Sequence, residues 1–289
     1  VLHGLLCCQY DLRISNENRT QRVNAYFCAW EDTPLFDLAA IREHPLLQDV
    51  DYHPSIDSTN RRAMELVLAN ELELPLLVLT ESQTAGRGRG NHRWLASEGA
   101  LTFSLIVDAG QWNLNAGQWP LISLLTGLAV CQTLAPVLAE YRVRLKWPND
   151  VLINDRKVCG ILVESHASHP GRVVIGVGLN VNNSLADTNF RLPAVSLHDL
   201  TGSHYSMTDI LLEIITNLVA ALETMADPAS AIRPLWQQFC LLTGRHVRLE
   251  QPNEVITGEC GGIDDDGALL LLTETGLKRF FSGTVIAYK

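Results

Sequence analysis

Between Asp108 and Glu140 the chain carries no charged residue, and its apolar part, Leu121 to Ala139, approaches the length of a membrane span. Ser123, Thr126, Gln132, Thr133 and Pro136 interrupt the run, and neither a basic flank nor a second span accompanies it. A helix from Leu121 to Tyr141 buried on all sides is therefore expected, and it needs protein layers around it. With 289 residues, 47% of them hydrophobic and 19% charged, the chain can supply those layers as one large domain or one plus a small appendage.

The net charge of −10 repels polyanions, so an anionic ligand must meet a local basic site and bulk nucleic-acid binding is disfavoured. Seven cysteines, Cys7, Cys8, Cys28, Cys131, Cys159, Cys240 and Cys260, are odd in number and without Cys-x-x-Cys spacing. They signal neither a disulfide framework nor a zinc site. The apolar opening, Val1 to Cys8, lacks a basic region and a small-residue cleavage site, so a cytoplasmic location with no membrane association is expected.

Residues 1–34 show no sustained period and are set apart as an extension of unknown role. Ser58-Thr59-Asn60 has N-cap chemistry and predicts a helix over Arg61 to Asn70. Strands are expected at Leu74 to Thr80 and Ala100 to Val107, on either side of a Gly/Arg loop. Three more follow at Val143 to Trp147, Val151 to Ile153 and Lys157 to Glu164, with a hairpin turn at Asn154-Asp155-Arg156, and another at Val173 to Val181. Apolar residues every three or four positions predict an amphipathic helix over Met207 to Met225, with a shorter one near Pro234 to Leu242. Beyond Gly244 five short Gly-broken strands suit a small antiparallel barrel. The expected division is 35–242 and 243–289.

Four stretches could carry chemistry. Gln83-Thr84-Ala85-Gly86-Arg87-Gly88-Arg89-Gly90 and Asn91-His92-Arg93-Trp94 combine glycines that let backbone approach a ligand with three arginines and no acid, an anion trap in an acidic chain. Lys146-Trp147-Pro148-Asn149-Asp150 ends a strand in a Pro turn that presents Asn149 and Asp150. Lys157 leads an apolar strand, and Gly176-Val177-Gly178-Leu179-Asn180 places two glycines in another.

In this order the motifs resemble the biotin protein ligases, of the monofunctional kind without an amino-terminal helix-turn-helix. The resemblance runs from Ser58-Thr59-Asn60 to Gly262-Ile263-Asp264 and Gly267-Ala268-Leu269-Leu270, and covers about residues 45–289. It implies an α+β fold: a mixed sheet packed with helices, like the catalytic domains of class II aminoacyl-tRNA synthetases, plus a carboxy-terminal SH3-like barrel. It further implies a two-step ligase. Biotin and ATP, with Mg²⁺ carried on the phosphates, give biotinyl-5′-AMP, which acylates one lysine of a biotin carboxyl carrier domain such as that of acetyl-CoA carboxylase.

Carried over by residue, Ser58, Thr59 and Gln83 resemble partners of the biotin head, with Asn60 beside them. Arg87, Gly88 and Arg89 would wrap the adenylate, and Lys157 would face the carboxylate and phosphate as the leading catalytic group. Trp94 would be an apolar wall. Asn149, Asp150 and Asn180 would bear on Mg²⁺, phosphate or the acceptor amine, and Gly160, Gly176 and Gly178 would permit close approach. A monomer or homodimer without DNA binding is expected.

The loop departs from the family at Gly90 and Asn91, where Arg then Gly is common. Lipoate ligases have a different loop, a repressor would need a helix-turn-helix, and a binding protein without turnover would have no use for Lys157. His166 and His169 are expected to be a polar strand connection rather than a metal pair, and Asp264-Asp265-Asp266-Gly267 a hairpin turn rather than a calcium loop.

Overall fold

The computed structural model describes residues 34–90, 92–112, 116–185, 193–224 and 232–289, so the expected extension lies almost wholly outside the described residues. In chain order the elements are α1 (Leu38–Arg42), β1 (Asp49–Ile56), α2 (Thr59–Leu66), β2 (Leu76–Gln83), β3 (Ala100–Asp108) and α3 (Trp119–Val137). Next come β4 (Val143–Lys146), β5 (Asp150–Ile153), β6 (Arg156–His166), β7 (His169–Asn180), α4 (Leu197–Thr201), α5 (Met207–Glu223) and α6 (Ile232–Phe239). The chain ends with β8 (His246–Glu250), β9 (Val255–Ile263), β10 (Leu269–Thr273), β11 (Gly276–Phe280) and β12 (Thr284–Tyr288).

Strands β1 to β7 form one mixed sheet in the order β1-β2-β3-β7-β6-β5-β4. Only β1 and β2 run parallel; the other pairs are antiparallel. Because side chains alternate across a strand, register assigns each residue a face. One face presents Leu77, Leu79, Leu101, Phe103, Leu105, Cys159, Ile161, Ile175, Val177 and Leu179 to the main core, which also takes in α3 and α5. The other face presents Leu76, Val78, Ile106 and Val174, which Ala63 and Val67 of the α2 segment cover in a second cluster. That cover stops short of the strand ends near Gly160 and Gly178, where the sheet is bare.

Helix α3 is the uncharged run. It is the one helix among the described residues long and apolar enough to cross a membrane, and it is mostly buried. It ends at Val137, four residues before the expected Tyr141, just past Pro136. Gly127 lets it close on the sheet: a Cβ there would lie 2.5 Å from Leu145 Cδ1. The hairpin between β5 and β6 turns through Asn154 and Asp155 at φ 48° and 62°, the left-handed pair that a two-residue β-turn requires.

Three of these elements are not predicted by the sequence pattern: α1, β1 and the short α4. Strand β1 reads Asp-Val-Asp-Tyr-His-Pro-Ser-Ile; its acids and proline are poor strand formers, yet tolerable on a sheet edge that needs only one partner.

The carboxy-terminal strands form a second, antiparallel sheet in the order β11-β10-β9-β8-β12. Its edge strands are β11 and β12, and each inner strand is hydrogen-bonded antiparallel to both neighbours. The two sheets share a core: Trp236 and Leu242 cluster with Val247, Leu249 and Leu271.

Gly127→Val is expected to lower the denaturant midpoint by about 1–3 kcal/mol of stability, because the added carbons meet Leu145 and Ile161 in a packed interior. Equilibrium urea unfolding checks this; an unchanged midpoint would show that α3 has room to shift.

Candidate functional site

The bare end of the sheet floors a cavity of about 790 Å³. A single cross-strand row, Lys146, Asp150, Gly160, Gly178, Thr102 and Thr80, crosses this face, with Leu162, Gly176, Ser104 and Val78 in the row beside it. Register alone therefore brings Lys146 and Asp150 to the same surface as the two glycines.

Three side chains of the protein lie on those glycines. A Cβ on Gly176 would lie 1.9 Å from Asn60 Oδ1, one on Gly178 2.2 Å from Trp94 Cε2, and one on Gly160 3.1 Å from Lys157 Cε and Nζ. The three glycines line the cavity and also make room for the chain's own amide, indole and ammonium.

Lys157 leads β6. Its backbone pairs with the segment after the undescribed residues 186–192, its N–H donating to Pro193 O at 2.8 Å and its carbonyl accepting from Val195 N at 3.0 Å. Its ammonium meets Asp150 Oδ1 at 2.6 Å. Asp150 and Asn149 sit on the turn between β4 and β5, which is held on three sides. Asn149 Nδ2 donates to Ile161 O at 2.7 Å, Ser123 Oγ donates to Pro148 O at 3.2 Å, and Trp147 Nε1 donates to Gly267 O at 3.2 Å.

Lys146, which the sequence reading left without a role, is 7% exposed and lines the same cavity. Burial lowers its pKa, nearby Asp150 raises it again, and Lys157 opposes the second charge. Its Nζ stands 5.8 Å from the ring centroid of Tyr288, on the last strand. A lysine closing an apolar strand just before Trp was the available signal.

The Gly/Arg loop folds back on itself: Gly88 N–H donates to His92 O at 2.8 Å and Trp94 N–H to Gly86 O at 3.1 Å. Gly90, at φ 59°, sits near the tip, where a left-handed residue is needed. The two arginines diverge. Arg89 turns inward, donating to Asn149 Oδ1 at 3.3 Å and Gly283 O at 3.4 Å, and desolvation lowers its pKa against the pull of Asp150. Arg87 turns toward the sheet and forks onto Glu164, with contacts of 3.0 and 2.7 Å. Its guanidinium is thus engaged by a carboxylate and not held out toward an anion.

At the far end Ser58, Thr59 and Gln83 meet. Thr59 N–H donates to Gln83 Oε1 at 2.7 Å. Ser58 is buried at the N-cap of α2, its hydroxyl making no capping bond. Thr102 Oγ1 and Trp94 Nε1 are buried atoms of the cavity wall that have no hydrogen-bond partner among the described residues, which a polar ligand would relieve. Thr102 had no distinguishing sequence signal beyond lying in an apolar strand. Asn180 Oδ1 accepts from Asn183 Nδ2 at 3.2 Å beside the same wall.

The cavity joins a small polar end, a middle crossed by an indole, and an end where Lys146, Lys157 and Arg89 gather about Asp150. It suits an elongated ligand with a hydrogen-bonding head, a short apolar stem and an anionic tail. No three His, Cys, Asp or Glu side chains converge as a metal cage among the described residues. His166 and His169 bond to the hydroxyl of Ser168 between them, and Asp264 accepts from the backbone of its own turn. Both are the turns expected.

Residues 52–180 match the model of the Biotin/lipoate A/B protein ligase family, and 242–287 that of the Biotin protein ligase C terminal domain. The bifunctional ligase/repressor BirA of Bacillus subtilis is 33% identical over 244 residues, covering 82% of this chain and 74% of that protein. The biotin-[acetyl-CoA-carboxylase] ligase of Paracoccus denitrificans is 33% identical over 234 residues, covering 76% and 92%. Among solved structures, the biotin protein ligase of Aquifex aeolicus in complex with biotin and ATP superposes with a TM-score of 0.69 at 28% identity, covering 84% of this chain and 99% of that one.

Gly178→Ala is expected to push the Trp94 indole from its slot and raise acrylamide quenching of tryptophan fluorescence. In a Trp94→Phe background the same change should add nothing; equal quenching with and without Trp94 would refute the packing.

Proposed function

The chain belongs to the Biotin/lipoate A/B protein ligase family, and on that premise we propose how a biotin protein ligase divides its work among these residues. It is an ATP-dependent enzyme that joins biotin to a lysine of a biotin carboxyl carrier domain by way of biotinyl-5′-AMP. In the first step a biotin carboxylate oxygen bonds to the α-phosphorus of ATP and pyrophosphate leaves. In the second the carrier amine bonds to the acyl carbon, loses a proton and displaces AMP.

The observation that carries the reading is the polarity of the cavity: neutral hydrogen-bonding groups at one end, cations at the other, and apolar Trp94 between. The ureido head of biotin fits Ser58, Thr59 and Gln83, its stem fits the indole, and its carboxylate reaches Lys157. There the ammonium, preorganised by Asp150 at 2.6 Å, opposes the negative charge that grows at phosphorus. Arg89 and Lys146 supply further positive charge on the nucleotide side. Asp150, paired with Lys157, would take the proton of the attacking amine. Arg87, tied to Glu164 at 2.7 Å, lines the same cavity and would add its charge to the adenylate site.

Asp150 and Glu250, the acids of the cavity wall, suit a Mg²⁺ brought on the triphosphate, whose charge it would offset, better than a protein cage. The carboxy-terminal sheet, read as an SH3-like unit divided from residues 35–242 near Thr243, closes the nucleotide side through Gly283 and Tyr288. A net charge of −10 supports a ligase without operator binding, and cysteines without a disulfide or zinc pattern suit a cytoplasmic setting.

Incubation with biotin, MgATP and a biotin carboxyl carrier domain should add one biotinyl mass to the carrier lysine; an unmodified carrier would overturn the reading. Lys157→Ala should leave the unfolding midpoint near wild type and slow biotin-dependent pyrophosphate exchange about a hundred- to a thousand-fold, the equivalent of roughly 3–4 kcal/mol of lost charge stabilisation. Exchange within a few-fold of wild type would remove Lys157 from the chemistry.

A further inference from the structure

The cations of the cavity are not equally engaged. Lys157 is paired with Asp150 and Arg87 with Glu164, and Arg89 donates to Asn149 and Gly283. The ammonium of Lys146, a residue 7% exposed, makes no ion pair and no hydrogen bond among the described residues. It has an aromatic face instead: Nζ lies over the Tyr288 ring, 5.8 Å from the centroid. A buried cation without a partner is unfavourable. A ring face offsets part of that penalty through its quadrupole and leaves the N–H donors of the ammonium unused.

Tyr288 is itself held. Arg245 Cζ lies over the same ring at 5.3 Å, and the Tyr288 hydroxyl donates to Asp155 Oδ1 at 3.4 Å. Burial, and after it Asp155, raises the Tyr288 pKa against the pull of Arg245, so near neutral pH the side chain is a phenol and brings no charge to Lys146. A carboxylate in its place would pair with the ammonium and cancel it.

The position of Lys146 shows what its free charge faces. It ends β4, the edge of the first sheet farthest from β1 and β2, whereas Thr59 and Gln83 meet at the β2 side. Lys157, on β6, stands between them. Against the same cluster lies a second, small cleft of about 70 Å³, whose walls include Lys146, Asp150, Asp155, Lys157, Ile286 and Tyr288. Displacement at phosphorus is in line, so a carboxylate arriving from the polar end expels pyrophosphate on the opposite side. Lys146 and the cleft are on that side.

We infer that Tyr288 is a positioning residue for the first step: its ring holds Lys146 in place without neutralising it, so that the ammonium meets the departing pyrophosphate. This rests on the ligase reading of the site, and it gives the carboxy-terminal sheet a part in adenylate formation that the second step does not share. As the bond from the α-phosphorus to the bridging oxygen breaks, its electron pair stays on pyrophosphate, and Lys146 opposes the charge gained there while keeping its own proton.

The test measures the two steps apart, as biotin-dependent exchange of pyrophosphate into ATP and as single-turnover transfer from synthetic biotinyl-5′-AMP to a biotin carboxyl carrier domain. Tyr288→Leu is expected to raise the KM for pyrophosphate roughly five- to thirtyfold, the range of a desolvated cation–ring contact, with transfer and the Kd for biotin within about twofold of wild type. Tyr288→Phe keeps the ring and loses the Asp155 contact, and should stay within about twofold of wild type in both steps. In a Lys146→Met background Tyr288→Leu should add less than about twofold, because the ring acts through the ammonium.

If Tyr288→Leu fails to fold, trifluorophenylalanine at position 288 stands in. It nearly keeps the shape of phenylalanine without the negative ring face, and should raise the KM for pyrophosphate relative to Tyr288→Phe. An unchanged KM in the folded variant, an equal loss in Tyr288→Phe, a parallel fall in transfer, or a full further loss in the Lys146→Met background overturns the inference. Absence of biotin-dependent exchange in the wild-type enzyme would instead overturn the ligase reading.

Discussion

The site depends on a patch of sheet that has no side chains of its own. Gly160 and Gly178 face each other across β6 and β7, with Gly176 one row away, and the three leave space where a typical sheet would raise a layer of side chains. Into that missing layer lie Lys157, Trp94 and Asn60. Asn60 and Trp94 come from outside the sheet, and Lys157 lies back along β6 itself. No positive φ is needed at these three positions, so their requirement for glycine is one of space alone.

The same geometry explains the place of the second sheet. The turn carrying Asn149 and Asp150 gains its third support from Trp147, which donates to the carbonyl of Gly267, and Arg89 reaches across to Gly283. Gly267 itself packs against Leu121 and Leu124 of the buried helix, at a φ of 79°. One uncharged helix thus braces the sheet on one side and the carboxy-terminal turn at its end. The acids of that turn are held by Arg279 and Arg233. The charged end of the cavity is assembled from both units.

Much of this was legible in the residues. The uncharged run had to be a core helix because too many hydroxyl and amide groups interrupt it for a membrane span, and the turn at Asn154-Asp155 followed from its residue types. Lys157, Asp150, Gln83, Thr59 and Trp94 were found as motif members and meet in one cavity. Other features needed three dimensions. Strand β1 is hidden because an edge strand tolerates acids and proline. Ser104, Thr102 and Lys146 reside in apolar strands, and only cross-strand register shows which face they join. Arg87 looked equivalent to Arg89 until Glu164, 77 residues away, proved to hold it. The glycines announced close approach, but not that the approaching groups belong to the chain itself.

The bare floor can be tested at Gly176. An added methyl would fall 1.9 Å from Asn60 Oδ1, while Asn60 is bound at both ends of its amide and cannot yield without breaking bonds. Calorimetric titration of biotin into Gly176→Ala, with urea unfolding to establish that the fold persists, is therefore the most direct measurement. An affinity at least about tenfold below wild type in a folded protein is expected, as a broken hydrogen-bond chain costs on the order of 1–3 kcal/mol. Wild-type affinity in that variant would mean that the missing side chains of the sheet do not shape the site.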